Sequence, residues 1–167
     1  MRSDSRLSRA LHVLLHMARF DGPVTSEMLS EMFRMNPVVI RRTLAGLREA
    51  GYVRSEKGHG GGWTLNRDLS EITMLDIYTA LGDPTIFAIG VASDHPGCLV
   101  EKAVNRAMDD AFQQAEALLI ARLSQVTLAD LSRDFDAGFQ EGGRGAAWLE
   151  SRPSATGNET RGCDPGL

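Results

Sequence analysis

Leu7, Leu11, Leu14, Leu15 and Ala18 recur at helical spacing and predict a first helix from about Ser5 to Phe20, stopped by Asp21-Gly22-Pro23. Thr25 or Ser26 can cap a short second helix whose apolar side is Met28, Leu29, Met32 and Phe33. A brief turn, Arg34 to Asn36, follows. Asn36 suits an N-cap and Pro37 the first helical position, where its missing N–H would have had no partner. The third helix then sets Ile40, Leu44 and Leu47 inward and ends at Gly51. After Gly51 the period shortens. Tyr52 to Glu56 and Trp63 to Asn66 read as short strands joined by a glycine run. Thr73 to Asp76 is a capping-box-like start for another helix, closed at Gly82 before Pro84.

Residues 85 to 97 carry no period. Behind them runs the longest helical pattern, about Cys98 to Gln125. Its broad apolar face comprises Leu99, Val104, Ala107, Met108, Ala111, Phe112, Ala115, Leu118, Leu119 and Leu123. Such a helix is ~40 Å long. Either the first and fourth helices cover that face or the same helix of a second subunit does, and its length favours the second subunit. Thr127 caps a last short helix to about Phe135. From Asp136 onward Gly, Ser, Pro and Thr dominate and disorder is expected.

Composition narrows the class. The chain has 167 residues, 43% of them hydrophobic, and a net charge of −4. It is therefore not a polybasic tail, and no run in it approaches the roughly 18 apolar residues of a membrane span. Arg2, Arg6 and Arg9 precede an apolar stretch that His12 and His16 interrupt, which does not make a signal peptide. Cys98 and Cys163 do not form a disulfide framework. A cytoplasmic protein with no membrane partner is expected. Local charge is different: between Arg34 and Arg67 stand six arginines and Lys57 against Glu49 and Glu56. A basic stretch inside an acidic chain is the electrostatic footprint of a duplex-binding surface, although alone it is equally a solvated face.

The glycine run "KGHGGGW", Lys57 to Trp63, admits a phosphate cradle, an oxyanion hole or the tip of a hairpin. No Gly-Lys-Ser/Thr accompanies it for a phosphate loop, and no Gly-x-Ser-x-Gly elbow for a small hydrolase. The order of elements decides. Helix, short helix, tight turn, helix and glycine-tipped hairpin make a winged helix-turn-helix, a mainly α fold with a small β-hairpin wing and a long C-terminal dimerisation helix. Opposite Ile40, at about 100° per residue, lie Val38, Arg41, Arg42, Ala45 and Glu49. The first turns of such a helix enter the major groove, where arginine pairs with guanine and valine touches a thymine methyl. Asn36, at the tip of the helix, and Ser26 join this DNA-contacting set. A bare loop can lie against the sugar–phosphate rails, offer backbone N–H donors and carry Lys57 and His59 over the minor groove. A winged helix used only for protein–protein contacts is the alternative.

The segment "NPVVIRRTLAGLREAGYVRSEKGHGGGWTLNRDLSEITMLDIYTALGDP" resembles the Rrf-two regulators, the family of IscR, NsrR and CymR, and most of all its YwnA-like branch. The resemblance extends over about residues 5 to 132, including the later "TLADL". It implies a homodimeric bacterial transcription factor, usually a repressor, bound to a palindromic operator in double-stranded DNA. By position, Asn36, Val38, Val39, Arg41 and Arg42 match recognition-helix residues, and Lys57 matches a wing position that is usually arginine. Lysine lacks the planar fork of arginine. Together, the periodicity, the composition and the resemblance divide the chain into a DNA-binding unit at 1–84, a linker or sensor loop at 85–97, a dimerisation helix and short terminal helix at 98–135, and a tail at 136–167.

Many members of this family hold an iron–sulfur cluster through three cysteines before the long helix. This chain has Cys98 alone there, with His95 three residues earlier, so no iron–sulfur cofactor is expected. Cys98 as a redox-active thiol, or a small-molecule pocket lined by Tyr78, Ile86 and Phe87, are the two sensing readings; a buried, inert Cys98 is the bland one. Some relatives also use ligands from the first helix. His12 and His16 have metal-ligand spacing, but Ser8 stands where a carboxylate would be expected. Two polar surface histidines and no metal are expected.

Overall fold

Helix α1 (Arg6–Met17) buries Ala10, Leu11, Val13, Leu14 and Met17. It ends before the expected Phe20 because i→i+3 bonds tighten its exit: the Arg19 N–H donates to His16 O (2.9 Å) and that of Phe20 to Met17 O (3.2 Å). The computed structural model describes residues 4–141, apart from 59, 88 and 96. Helix α2 (Ser26–Phe33) is capped by Thr25, whose hydroxyl accepts from Met28 N at 3.1 Å. Arg34 closes it in the left-handed region, φ 49°.

Helix α3 (Pro37–Glu49) starts where the sequence says it should, with Asn36 Oδ1 accepting from Val38 N at 2.8 Å. At its other end Gly51 (φ +82°) donates to Arg48 O and Tyr52 donates to Leu47 O, each at 2.9 Å. This pair of bonds is the Schellman motif and turns the chain straight into the hairpin.

Strands β1 (Val53–Glu56) and β2 (Gly62–Leu65) pair antiparallel, Val53 opposite Leu65 and Glu56 opposite Gly62. The hairpin is anchored at Trp63. Its backbone exchanges two hydrogen bonds with Val24 (2.8 and 2.9 Å), and its indole N–H donates to Ser26 Oγ at 2.9 Å. Gly62 makes this approach possible. A Cβ there would stand 2.8 Å from the carbonyl oxygen of Val24 and 3.0 Å from its nitrogen. Because these obstacles are backbone, Gly62→Ala is expected to destabilise the fold by about 1–3 kcal/mol and to loosen the wing. Urea unfolding with tryptophan fluorescence measures both effects.

After a 3₁₀ turn at Leu69–Glu71 come α4 (Met74–Ala80), α5 (Leu99–Gln125) and α6 (Leu128–Glu141). Helices α4 and α6 begin with the same Thr-x-x-Asp capping box, Thr73/Asp76 and Thr127/Asp130, and the two starts are tied together. The Met74 N–H donates to Val126 O and that of Leu128 to Ile72 O, both at 2.8 Å. Burial alone would raise the Asp76 pKa, but bonds from the Thr73 side chain and backbone and from the Tyr52 hydroxyl bring it below the usual carboxylate value. A depressed carboxylate pKa stabilises the fold above the unfolded-state value and loses that contribution as pH falls through the folded one. Stability is therefore expected to decline below about pH 4. Asp76→Asn should lose about 0.5–2 kcal/mol near neutrality and show a shallower acid slope in denaturant titrations.

The core joins Leu14, Leu29, Ile40, Leu44, Leu47, Val53, Ile72, Ile77 and Leu128. Leu128 belongs to α6, so the last helix returns to the winged-helix body and does not extend the arm with α5. Arg19 holds it there, reaching Ser132 Oγ (3.1 Å), Asp136 Oδ1 (2.8 Å) and the ring of Phe135. This helix continues past the expected Phe135 to Glu141; most of the expected tail, 142–167, lies outside the described residues. By contrast α5 buries Leu123 and leaves Leu99 79%, Val100 71%, Val104 51% and Leu118 74% exposed.

Candidate nucleic-acid interface

The buried side of α3 and its exposed side divide as the spacing requires. Ile40, Leu44 and Leu47 are buried, while Val38, Val39, Arg41 and Arg42 face out. Asn36 is exposed at the head of the helix, with its carbonyl oxygen engaged in capping and its amide N–H groups available. Two exposed valines beside two arginines are costly to leave in water and suit a base-lined groove.

Two arginines on adjacent positions differ in state. The Arg41 guanidinium is tied to Glu27 in the first turn of α2. Arg42 has no hydrogen bond or ion pair among the described residues. Glu27 is the site residue that sequence reasoning missed. It lies 14 positions away across the turn, and only the docking of α2 against α3 brings it there. Its position in the first turn of a helix, where acids are commonly placed for the dipole, masked the second role.

Arg48 Nη1 reaches Ser55 Oγ at 3.5 Å, linking α3 to the hairpin, and Arg54 lies along the hairpin against Thr64 (2.9 Å) and Glu56 (3.7 Å). Arg67 covers the Tyr52 ring, 5.1 Å from its centroid. These cations brace the wing. Lys57 is exposed just beyond β1. His59, expected in the contacting set, lies outside the described residues.

Ser26 is a correction. It is 4% exposed and its hydroxyl accepts from Trp63, so it anchors the wing and does not face a ligand. The glycine run forms the expected hairpin tip, and its glycines have local reasons. Gly58 and Gly60 have φ of +101° and +83°, and a Cβ on Gly61 would meet Glu56 O at 2.4 Å. The Gly61 N–H donates to Gly58 O at 3.0 Å. The bare backbone thus serves the turn itself, and the Gly61 donor is directed inward, away from a phosphate or an oxyanion.

At the other end of the chain, Cys98 is the exposed N-cap of α5. The backbone N–H groups of Glu101 and Val100 hold its thiol pKa below the ordinary value. Its own N–H donates to His95 O at 2.8 Å, which places the exposed His95 one turn before it. Tyr78 is buried and donates to Pro84 O at 2.9 Å, and Phe87 stacks on Phe112 at 5.7 Å between centroids. These contacts fasten residues 84–87 onto α4 and α5.

Comparison with known proteins decides the family. The Rrf2 profile, described as "Iron-dependent Transcriptional regulator", matches residues 3–134. The chain belongs to the Rrf2 family. It is 30% identical to "Putative HTH-type transcriptional regulator YwnA" of Bacillus subtilis over 77% of this chain and 95% of that one. With "Putative HTH-type transcriptional regulator YffB" of Lactococcus lactis it shares 27% over 85% and 94%. The crystal structure of "a putative transcriptional regulator from Lactobacillus plantarum" superposes with a TM-score of 0.67 at 27% identity, covering 87% of this chain and 96% of that one.

Membership in the Rrf2 family makes this protein a DNA-binding regulator with a winged helix. None of the described helices is long and apolar enough to cross a membrane. The iron of the family description has to be matched to this chain's own donors. Among the described residues Cys98 is the one thiol, and no group of three or more His, Cys, Asp or Glu side chains converges. Clusters are held by several thiolates, and this donor set does not fit one.

Proposed function

We propose that this Rrf2 protein is a homodimeric repressor of a palindromic operator, with α3 in the major groove and the Lys57 wing over the adjacent minor groove. The observation that carries the reading is the division of α3, whose leucines are fixed in the core while Val38, Val39, Arg41 and Arg42 stand outside it. The helix is thereby held rigidly and presents an apolar and cationic edge of groove size. Pairing of two copies is supported by α5, whose exposed Leu99, Val100, Val104 and Leu118 have no cover among the described residues. A two-fold axis along α5 repeats the reading head and so calls for a palindrome.

Control of repression is assigned to the junction between residues 85–97 and α5. Either an oxidant acts at the Cys98 thiol, which is exposed at a helix head, or a small molecule displaces the Phe87–Phe112 stack. An electrophoretic shift with the promoter of the protein's own gene, against random competitor DNA, tests the main reading, with light scattering for the dimer. A shift that random DNA abolishes equally would defeat it. It would also leave room for the hydrolase and protein–protein alternatives, which predict no sequence dependence. Repeating the shift with peroxide, in the parent and in Cys98→Ser, separates the two signals.

A further inference from the structure

Tyr52 alone separates the turn that ends α3 from the first strand of the wing, and its backbone serves both. Its N–H donates to Leu47 O in α3 at 2.9 Å, and its carbonyl oxygen accepts from Asn66 N, just past β2, at 3.0 Å. The ring lies under the Arg67 guanidinium, and the hydroxyl donates to Asp76 Oδ1 at 3.1 Å, 24 positions along the chain. Burial and the Asp76 carboxylate raise the Tyr52 pKa, so the phenol remains a donor throughout the neutral range.

The twin capping boxes show that this bond is not a by-product of capping. In each box the aspartate Oδ2 accepts from the backbone and the hydroxyl of its threonine. Asp76 takes both bonds from Thr73 at 2.7 Å, and Asp130 takes its pair from Thr127 at 2.9 and 2.8 Å. Capping therefore leaves Oδ1 spare. In α6 the spare oxygen meets Arg133 of its own helix. In α4 it is turned onto the base of the wing. The residue after Thr73, Met74, is bonded in turn to Val126 at the end of α5. The Asp76 carboxylate thus stands where α3, the wing and the end of α5 come together.

On the reading that Lys57 contacts DNA from the wing, we infer that Tyr52 is a positioning residue: its bond to Asp76 sets the angle at which the wing leaves α3, and so the place of Lys57. Trp63 is the wing's other anchor, and a hairpin held there alone can pivot about it. Residues 52–57 make a lever of ~16 Å, so a swing of ~10° at the base displaces the tip by ~3 Å, the length of a hydrogen bond.

Tyr52→Phe removes one hydroxyl and keeps the ring with its Arg67 cover, so the fold is retained, which circular dichroism verifies. Binding is titrated for the parent, Tyr52→Phe, Lys57→Ala and the double variant. The probes are the promoter of the protein's own gene and, because phosphate contacts ignore sequence, random duplex at low salt. Tyr52→Phe should raise Kd roughly 3- to 10-fold and lower the salt slope by up to about one, as Lys57→Ala does. In the Lys57→Ala background it should change Kd by less than about twofold, because the residue it places is gone. A bond that served stability alone would leave Kd and salt slope at the parent values. That result, or two effects that multiply independently, would overturn the positioning role. Lys57→Ala binding as tightly as the parent would instead defeat the wing contact itself, and the role of Tyr52 with it.

Discussion

Arg42→Ala is expected to weaken operator binding by about 1–3 kcal/mol, a rise in Kd of roughly 5- to 150-fold. The side chain is exposed on the first turns of α3 and has no partner among the described residues, so its removal costs the free protein nothing. The whole effect should therefore fall on the complex. Arg41 differs. It must leave Glu27 to reach a base or a phosphate, so part of its gain offsets a lost ion pair. That pair is exposed and weak, worth about 0–1 kcal/mol. Glu27→Gln should accordingly raise affinity for random duplex and steepen the salt dependence, because one more cation then faces the phosphates. Titrations of operator and random DNA at several salt concentrations separate the roles. A base contact lowers operator affinity selectively, and a phosphate contact lowers both and reduces the salt slope by about one. An Arg42→Ala protein that binds operator as tightly as the parent would remove Arg42 from the reading head.

Leu44→Ala should destabilise the fold by about 2–5 kcal/mol, a large share of the stability of a domain this size. Leu44 is fully buried on the inward side of α3, amid the leucines and isoleucines of α1, α2 and α4. The cavity left there has rigid walls, since α3 is clamped by the Asn36 cap at one end and the Gly51 turn at the other. Val38→Ala on the same helix is the contrast. Val38 is 64% exposed, so its loss should change stability by less than about 0.5 kcal/mol while weakening operator binding. Denaturant unfolding and DNA titration on the two variants should give opposite orders. If both variants unfolded alike, α3 would not be divided into a core side and a reading side.

The candidate site was legible in part, and the misses share a cause. Val38, Arg41 and Arg42 could be placed because helical spacing sorts a single element into two sides, Asn36 because it caps that element, and Val39 only through the family resemblance. Ser26 was misread because its burial depends on Trp63, which comes from a different element. Glu27 was missed for the same reason, since its partner Arg41 lies beyond the turn. The glycine run was recognised as a hairpin tip from its neighbours. The reason for each glycine was not visible: Gly58 and Gly60 supply positive φ, whereas Gly61 and Gly62 make room for the backbone of Glu56 and Val24.

Local periodicity and capping chemistry act within a few residues, and they alone set the helices, the hairpin, the turn before Pro37 and the outward face of α3. Packing set everything that depends on distant segments meeting. It returned α6 to the body through Leu128 and Arg19, left the apolar length of α5 open, buried Ser26 under the indole and drew the imidazoles of His12 and His16 against Phe33, where His16 is half-buried and not the surface histidine expected. A helix fixes the directions of its own side chains through its backbone geometry. What those side chains meet is chosen by the joint burial of all the apolar faces, and that choice exists only in the folded chain.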